Sequence, residues 1–160
     1  MTMEYKVIKR SELSRGLFRS FIRRQVVTDC WRRVGGQWTI KSDPFTDDWS
    51  ESDYKVLISC LKNTLDTGGF VYGAFSGGTL KGFVSVESEP MEGGYLDLSS
   101  IHVSEDFRGN GIGKELFRAA AEWAKLHGAK RLYISAHSAV ESQAFYKNLC
   151  FVDAVVCIKK

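Results

Sequence analysis

The sequence predicts one α/β domain, spanning residues 1–160, in which helices cover both faces of a central mixed, mostly antiparallel sheet. Three observations lead to this fold class. The length and the 44% hydrophobic content are those of a single globular domain. Helix and strand patterns alternate along the chain. Three strand patterns also follow one another in its middle, which indicates that the first part of the sheet is antiparallel.

The first elements are a short strand and two helices. Residues 5–8 have strand character, and apolar side chains at helical spacing predict a helix that begins at Ser11. Its apolar residues are Leu13, Leu17, Phe18, Phe21, Ile22 and Val26. Residues 51–65 have a second helical face, and Ser50 with Asp53 predicts a capping box at its start. The stretch between the two helices predicts no regular element.

The second half begins with a β-hairpin. Two strands, residues 70–75 and 80–87, flank Gly77 and Gly78, which can take the positive φ angles of a tight turn. Strand and helix patterns then alternate to the end of the chain. They predict a strand at 95–103, a helix from Gly111 to Gly128, a strand at 132–136, a helix at 138–148 and a strand at 151–158.

Charge and cysteine content exclude several classes of protein. No apolar run reaches the 18 residues of a membrane-spanning helix, so no membrane partner is expected. Neither the four cysteines nor the three histidines have metal-site spacing, so no metal is expected. The scattered cysteines and the lack of an apolar leader predict the cytoplasm. Residues 1–33 hold nine basic and three acidic side chains, but the interleaved aromatic residues of an RNA-binding surface are missing, which disfavours nucleic acid.

A glycine-rich segment, Arg108 to Lys114, lies between a predicted strand and a predicted helix. Free backbone N–H groups and the helix dipole favour a phosphate at such a place. Only three residues separate Gly109 from Gly113, so the segment is not a nucleoside-triphosphate loop. A dinucleotide fingerprint also fails, because its third glycine is missing. The alternative without a ligand is a flexible turn.

A known motif begins with Gln or Arg, has Gly three positions later and has Gly or Ala two positions after that. Arg108, Gly111 and Gly113 match these three positions in order. In this motif the chain resembles the GNAT superfamily of acetyl-CoA-dependent N-acetyltransferases. Residues 98–103 are similar to the fourth strand of that family, and residues 142–151 to its last helix and turn. The resemblance implies a cofactor-binding core at about 80–156, whereas residues 1–69 match only in element order and form the acceptor-side half. Ala139 and Cys150 depart from the family pattern.

The resemblance also implies an acetyl-CoA site between two middle strands that separate from each other. The pantetheine arm is expected along the fourth strand, and the pyrophosphate on the glycine-rich segment. The implied cofactor-binding residues are Ile101, His102, Val103, Arg108, Gly109, Asn110, Gly111, Ile112, Gly113, Lys114, Ser142 and Tyr146.

Acetylation of an amine requires two proton transfers. An ammonium group of pKa about 10.4 must lose a proton before it attacks the thioester, and the thiolate leaving group needs a proton donor. Asp97 is the expected base, because alternation places it on the side of Ser99 and Ile101 and because some family members carry a glutamate there. Glu87 or a water chain are the alternatives. Tyr146 aligns with the general-acid tyrosine of the family, and its alternative role is packing.

An acidic stretch with aromatic residues is the predicted acceptor site. Residues 43–53 hold five acidic and no basic side chains. Acidic and aromatic groups together suit a cationic amine. The residues expected to bind it are Trp38, Phe45, Asp47, Asp48 and Trp49. Alternatively, these acids only complement the dipole of the helix that begins at residue 51.

The predicted function is transfer of an acetyl group from acetyl-CoA to a primary amine of a small molecule, by direct attack in a ternary complex. Two alternatives remain. One is a domain of the same fold that binds acyl-CoA without this activity, and the other is a nucleic-acid-binding module that uses the basic N-terminal helix. A homodimer is compatible with the sequence.

Overall fold

The structure, a computed structural model, describes residues 2–34 and 37–134, and in residues 25–34, 37–39 and 41–47 it describes the backbone alone. The chain divides into two compact units. The first comprises Met1–Gln25 and Asp47–Ser135, and the second comprises Val26–Thr46 and Ala136–Lys160. The predicted helix at 138–148 and the predicted strand at 151–158 lie outside the described residues.

The strands that are described form two sheets. They are β1 (Met3–Val7), β2 (Arg24–Val34), β3 (Gln37–Asp48), β4 (Phe70–Ser76), β5 (Thr79–Val86), β6 (Tyr95–Val103) and β7 (Arg131–Tyr133), and the helices are α1 (Glu51–Asp66) and α2 (Ile112–Leu126). The main sheet has the order β1-β4-β5-β6-β7. All its neighbours are antiparallel except β6 and β7, which are parallel. The predicted mixed, mostly antiparallel sheet is confirmed.

The two helices cover opposite faces of the main sheet. Gly82 of β5 lies under α2, because a Cβ there would come within 2.9 Å of Ile112 and 3.0 Å of Leu116. The next residue, Phe83, belongs to the buried cluster that contains Tyr54 of α1. Successive residues of a strand face opposite sides, so α1 and α2 lie on different faces, as predicted.

The start of α1 has the predicted capping box. The Ser50 hydroxyl accepts a hydrogen bond from the Asp53 backbone N–H at 3.2 Å, and the Asp53 carboxylate accepts one from the Ser50 N–H at 2.8 Å. These two bonds satisfy donors that a helix start leaves unpaired. The predicted hairpin is also present, with Gly77 and Gly78 at φ 57° and 81°.

The predicted helix beginning at Ser11 is wrong. Two short 3-10 turns, Arg10–Glu12 and Arg15–Phe18, lie there instead. The side chains of Phe18 and Phe21 are buried, and each ring packs on Phe83. Short turns therefore bring these apolar residues to one core at a spacing that resembles a helix. Gly16 in the middle of the segment weakens the helical alternative.

The sequence predicted mostly irregular chain between the first two helices, but residues 24–34 and 37–48 form the long strands β2 and β3. These two strands make a separate two-stranded sheet. Val26, expected in the first helix, lies in β2. The stretch is rich in β-branched and aromatic residues, which favour strands, but Pro44 inside β3 conceals the pattern, because proline is rare in strand interiors.

Gly69 joins α1 to β4 at a place that has no room for a side chain. A Cβ there would lie 2.6 Å from the backbone oxygen of Val86 and 2.8 Å from that of Thr64. Gly69→Ala is therefore expected to lower the free energy of unfolding by about 1–3 kcal/mol. Gly16→Ala is the control, since its Cβ would meet nothing closer than 3.6 Å, and it should change stability by less than about 0.5 kcal/mol. Urea unfolding of both variants is the measurement, and equal losses would contradict the packing argument.

Candidate functional site

The strands β6 and β7 pair only at the start of β6. Tyr95–Asp97 lie opposite Arg131–Tyr133. Within the described residues β7 ends there, whereas β6 continues to Val103. From Leu98 onward, the edge of β6 that faces away from β5 therefore has backbone N–H and C=O groups that no described strand pairs. The resemblance places the pantetheine arm at such an edge between two parallel strands.

A β-bulge interrupts β6 just after its pairing with β7 ends. Ser85 of β5 lies opposite Ser100, but the next residue, Val86, lies opposite Leu98. Ser99 is therefore an extra residue with no partner position on β5. A bulge of this kind bends its strand and reorients the side chains on either side of it.

The bulge changes the face on which Asp97 lies. Val84 and Val86 lie on the same face of β5 as Gly82, which is the face that α2 covers. Ile101 lies opposite Val84 and Leu98 lies opposite Val86, so Leu98 and Ile101 also point toward α2. Asp97, next to Leu98, consequently points toward α1. The expectation that Asp97 shares the side of Ile101, and of Val103 beyond it, is wrong, because simple alternation does not allow for an inserted residue. The Asp97 side chain is also buried, with only 6% of the residue exposed.

Side chains around the bulge form a continuous hydrogen-bonded chain on the α1 face. The hydroxyl oxygens of Ser99 and Ser100 lie 2.7 Å and 2.5 Å from Oγ of Ser85. Ser99 Oγ also donates to Oε2 of Glu87. Oγ1 of Thr64, on α1, lies 2.9 Å from the same carboxylate oxygen. Sequence reasoning named Glu87 only as an alternative base and missed the other members, although the two consecutive serines were a visible signal.

His102 lies further along the same face, in aromatic and cationic surroundings. Its ring meets the edge of Trp49 with centroids 4.8 Å apart, and Arg23 Nε donates to its Nδ1 at 3.2 Å. Burial, and then the charges of Arg23 and Arg108, lower the pKa of His102 to about 3. The imidazole is therefore neutral at pH 7, and because Nδ1 accepts a hydrogen bond, the ring hydrogen is on Nε2.

The predicted acceptor residues are described only in part. Trp49 is half-buried and packs edge-on against Tyr54. Asp48 is exposed at the end of β3. For the remaining three acceptor residues the structure describes only the backbone, which lies in β3. These residues are Trp38, Phe45 and Asp47.

Two of the acidic residues in this stretch serve the helix, which is what the alternative interpretation expects. Asp53 completes the capping box of α1. Glu51 accepts two hydrogen bonds of 2.8 Å from the guanidinium of Arg15. This leaves Asp48 as the fully described acid of the stretch that the helix does not use.

The glycine-rich segment forms the N-terminus of α2, as predicted. Gly109 and Gly111 have φ angles of 83° and 76°, and a Cβ at either position would meet nothing within 4 Å. Gly111 is the N-cap, and no described side chain accepts a hydrogen bond from the first N–H groups of the helix. This end of the helix is open and lined by backbone donors, which is the arrangement that binds phosphate groups.

Arg108 adds positive charge beside this open helix end. Its Nε donates to the carbonyl oxygen of Val103 at 3.3 Å, which ties the segment to the end of β6. Burial, and then the charge of Arg23, lower the pKa of Arg108 from a value so high that the group stays protonated. The structure thus brings the predicted residues 101–103 and 108–114 together. The other two cofactor-binding residues, Ser142 and Tyr146, lie outside the described residues.

A family model described as the acetyltransferase (GNAT) family matches residues 36–151. This match covers more than half of the chain, so the chain belongs to the GNAT acetyltransferase family. Its members are enzymes that use acetyl-CoA as the acetyl donor. The open end of α2, and the edge of β6 that no described strand pairs, fit a donor that carries phosphates and an extended arm. The family predicted from the sequence is confirmed.

A curated relative has 46% identity to this chain over 41 residues. It is an uncharacterized N-acetyltransferase, YobR, of Bacillus subtilis (strain 168). The match covers 26% of this chain and 17% of the relative, so the chain matches about a sixth of that protein's length. This relative supports the family and carries no information on the acceptor.

Solved structures of acetyltransferases share the fold. Nourseothricin acetyltransferase has a TM-score of 0.69 at 18% identity, with 93% of this chain and 82% of that chain covered. A Bacillus anthracis str. Ames protein described as a streptothricin acetyltransferase, in complex with acetyl coenzyme A, has a TM-score of 0.70 at 17% identity, with coverage of 92% and 82%. An aminoglycoside acetyltransferase from an uncultured soil metagenomic sample has a TM-score of 0.63 at 15% identity, with coverage of 100% and 98%. These likenesses confirm the predicted fold.

Two features are absent from the part of the chain that the structure describes. None of its helices is long and apolar enough to cross a membrane. In the same residues, no cluster of three or more His, Cys, Asp or Glu side chains forms a metal site.

Gly111→Asp and Gly111→Asn test the phosphate site. The two side chains have the same shape, and both tolerate the left-handed conformation of this residue. Asp differs by a negative charge that would meet the phosphates at the end of α2, so we expect the dissociation constant for coenzyme A to be at least about tenfold higher in the Asp variant than in the Asn variant. Calorimetric titration at two salt concentrations measures this, and the gap should shrink at high salt.

Because Asp and Asn tolerate this left-handed backbone in the same way, a loss of folding would affect both variants and would not produce a difference between them. Equal affinity of the Asp and Asn variants for coenzyme A would show that the phosphates bind elsewhere.

Proposed function

We propose that this chain transfers the acetyl group of acetyl-CoA to a primary amine of a small molecule, by direct attack of the amine on the thioester in a ternary complex. The observation that carries the proposal is the position of the open N-terminus of α2 beside an edge of β6 that no described strand pairs. A phosphate site and an extended backbone edge at one end of the sheet suit a donor with a phosphorylated head and a long amide-containing arm.

The proposed donor site is built mainly from backbone groups. The N–H groups of residues 112–114 and the guanidinium of Arg108 would bind the phosphates. The edge of β6 at residues 101–103 would hydrogen-bond the amides of the arm. N–H groups of the same edge would polarise the thioester carbonyl and stabilise the oxyanion that forms on attack. Apart from the guanidinium of Arg108, these roles use backbone groups and require no particular side chain.

The proposed acceptor is a cationic amine. Asp48 is exposed and is not used by α1, and Trp49 presents part of an aromatic ring. Charge and cation-π attraction contribute about 0.5–2 kcal/mol at such a ring. The names of the neighbouring structures, acetyltransferases of nourseothricin and of aminoglycosides, support a small-molecule acceptor. We place the reaction in the cytoplasm, and a homodimer stays a prediction.

The proposed proton donor is Tyr146 and the base expected from the sequence is Asp97. A phenol of pKa about 10 can protonate a thiolate of pKa about 8.5 at a cost of roughly 2 kcal/mol. Asp97 is buried and points toward α1, so an amine would have to enter between the sheet and that helix to reach its carboxylate.

A panel of amines tests the proposed function. The purified chain is incubated with acetyl-CoA and with polyamines, amino sugars, amino acids or peptides, and released coenzyme A thiol is measured. We expect thiol release that depends on a small cationic amine and that is slower with peptides. Binding of acetyl-CoA without release for any amine would contradict the transfer and favour a binding domain of the same fold.

Tyr146→Phe is expected to lower kcat by about 10²- to 10⁴-fold while the dissociation constant for acetyl-CoA stays the same, because the phenol is removed and the ring is kept. Tyr95→Phe, which also removes one phenol, is the matched control and should keep kcat. Steady-state kinetics with the best amine of the panel measure both. A loss of kcat below about threefold, with the chemical step rate-limiting, would assign Tyr146 a packing role.

A further inference from the structure

We infer that Glu87, acting through the hydroxyl of Ser99, removes the proton from the acceptor amine. The inference rests on the proposed function and names the residue for one of its steps. Glu87 takes the place of Asp97, the base expected from the sequence. It comes directly after Val86, the last residue of β5. Support for the inference comes from three features: a hydroxyl relay at the bulge, the difference in exposure between two carboxylates, and the place on β6 where the described pairing with β7 ends.

The first feature is a chain of hydrogen bonds in which each of three serine hydroxyls donates its hydrogen to one acceptor. Ser100 can donate to Ser85, Ser85 to Ser99, and Ser99 to Oε2 of Glu87, over the contacts of 2.5 and 2.7 Å and the short Ser99–Glu87 bond. A serine oxygen has two lone pairs. Ser99 therefore keeps one acceptor position after it has accepted the Ser85 hydroxyl. That position can accept a hydrogen from a bound amine.

The second feature is exposure. Ser99 is exposed and Glu87 is half-buried, whereas Asp97 is buried. Thr64 Oγ1 lies 2.9 Å from Oε2 and thereby fixes the carboxylate against α1. The other carboxylate oxygen, Oε1, accepts no hydrogen bond from a described residue. Glu87 is thus held in one orientation and still has access to solvent, which a base needs in order to release the proton afterwards.

The third feature is position along β6. Pairing with β7 ends at Asp97 in the described residues, and Ser99 is the second residue beyond that point. The proposed thioester site lies along the edge of β6 that starts here. An amine attacking the carbonyl from the α1 face would therefore pass the hydroxyl of Ser99.

The proton transfer conserves every atom and charge. An N–H bond of the ammonium breaks and its proton moves to Oγ of Ser99, while the Ser99 O–H bond breaks and that proton moves to Oε2 of Glu87. The serine is unchanged, the amine is neutral and has a free lone pair, and Glu87 is a neutral carboxylic acid. Glu87 then returns the proton to water.

Other titratable groups surround this relay. Asp97 lies on the same face of β6, Tyr133 of β7 lies opposite it in register, and Cys60 precedes Thr64 by one turn of α1. His102 follows on the same face and is neutral at pH 7. Within the described residues, the side chains of Cys60, His102 and Tyr133 make no hydrogen bond to Glu87 or Ser99, whose carboxylate and hydroxyl pair with Thr64, Ser85 and each other.

The experiment compares Glu87→Gln with Glu89→Gln, a control at an exposed carboxylate two residues away. With the best amine of the panel, we expect Glu87→Gln to lower kcat at pH 7 by about 10²-fold or more. The acetyl-CoA dissociation constant and the thermal midpoint should match those of Glu89→Gln, because glutamine keeps the acceptor oxygen for Thr64. The difference in kcat between Glu87→Gln and Glu89→Gln should become smaller as the pH rises toward about 10.4, where the amine loses its proton to water.

Two further variants identify the base if Glu87→Gln folds poorly. Ser99→Ala leaves Glu87 in place and should lower kcat about tenfold at pH 7, and this loss of kcat should also become smaller at high pH. Any loss of kcat in Asp97→Asn should stay the same as the pH rises.

Each outcome decides the question. A Glu87→Gln deficit that is equal at every pH, or a kcat equal to that of Glu89→Gln, overturns the inference and leaves the proposed function standing. A pH-dependent deficit in Asp97→Asn alone assigns the base to Asp97 and also overturns it. A wild-type chain that binds acetyl-CoA and acetylates no amine rejects the proposed function, and the inference with it.

Discussion

The extra residue in β6 is the structural constraint on which the candidate site depends. Because Ser99 has no partner position on β5, the residues on either side of it change their faces, and Ser99 and Ser100 bring two hydroxyls together toward α1. In the part of the chain that the structure describes, β6 pairs with β7 over Tyr95–Asp97, just before this point. An inserted residue bends a strand and increases its local twist. The hydroxyl relay is therefore a consequence of one inserted residue, and it lies next to the point where the described pairing of β6 with β7 ends.

The second requirement is that the phosphate site lies close to the same end of the sheet. Gly82 allows α2 to pack directly on β5, since a Cβ there would overlap Ile112 at the start of the helix. The connection from β6 to α2 is fixed by the buried Lys81, whose Nζ lies 2.7 Å from Asp106 and 2.8 Å from the Ser20 carbonyl. The ammonium of this pair is buried and its carboxylate partner is exposed, so the hydrogen bonds that Lys81 makes hold the connection in place while Asp106 stays in contact with solvent. Small residues and a single lysine thus position a helix end that has no side-chain cap of its own.

The sequence predicted those parts of the fold in which local pattern and tertiary role agree. The hairpin of β4 and β5, both long helices and the glycine-rich segment were predicted because each has its own turn or cap residues. The segment at 10–22 was not, because its apolar spacing comes from short turns that share one core. The face of Asp97 was not predictable either, since a bulge is defined by the partner strand. Likewise, the contact of Thr64 with Glu87 joins residues 23 positions apart and exists only in the folded chain.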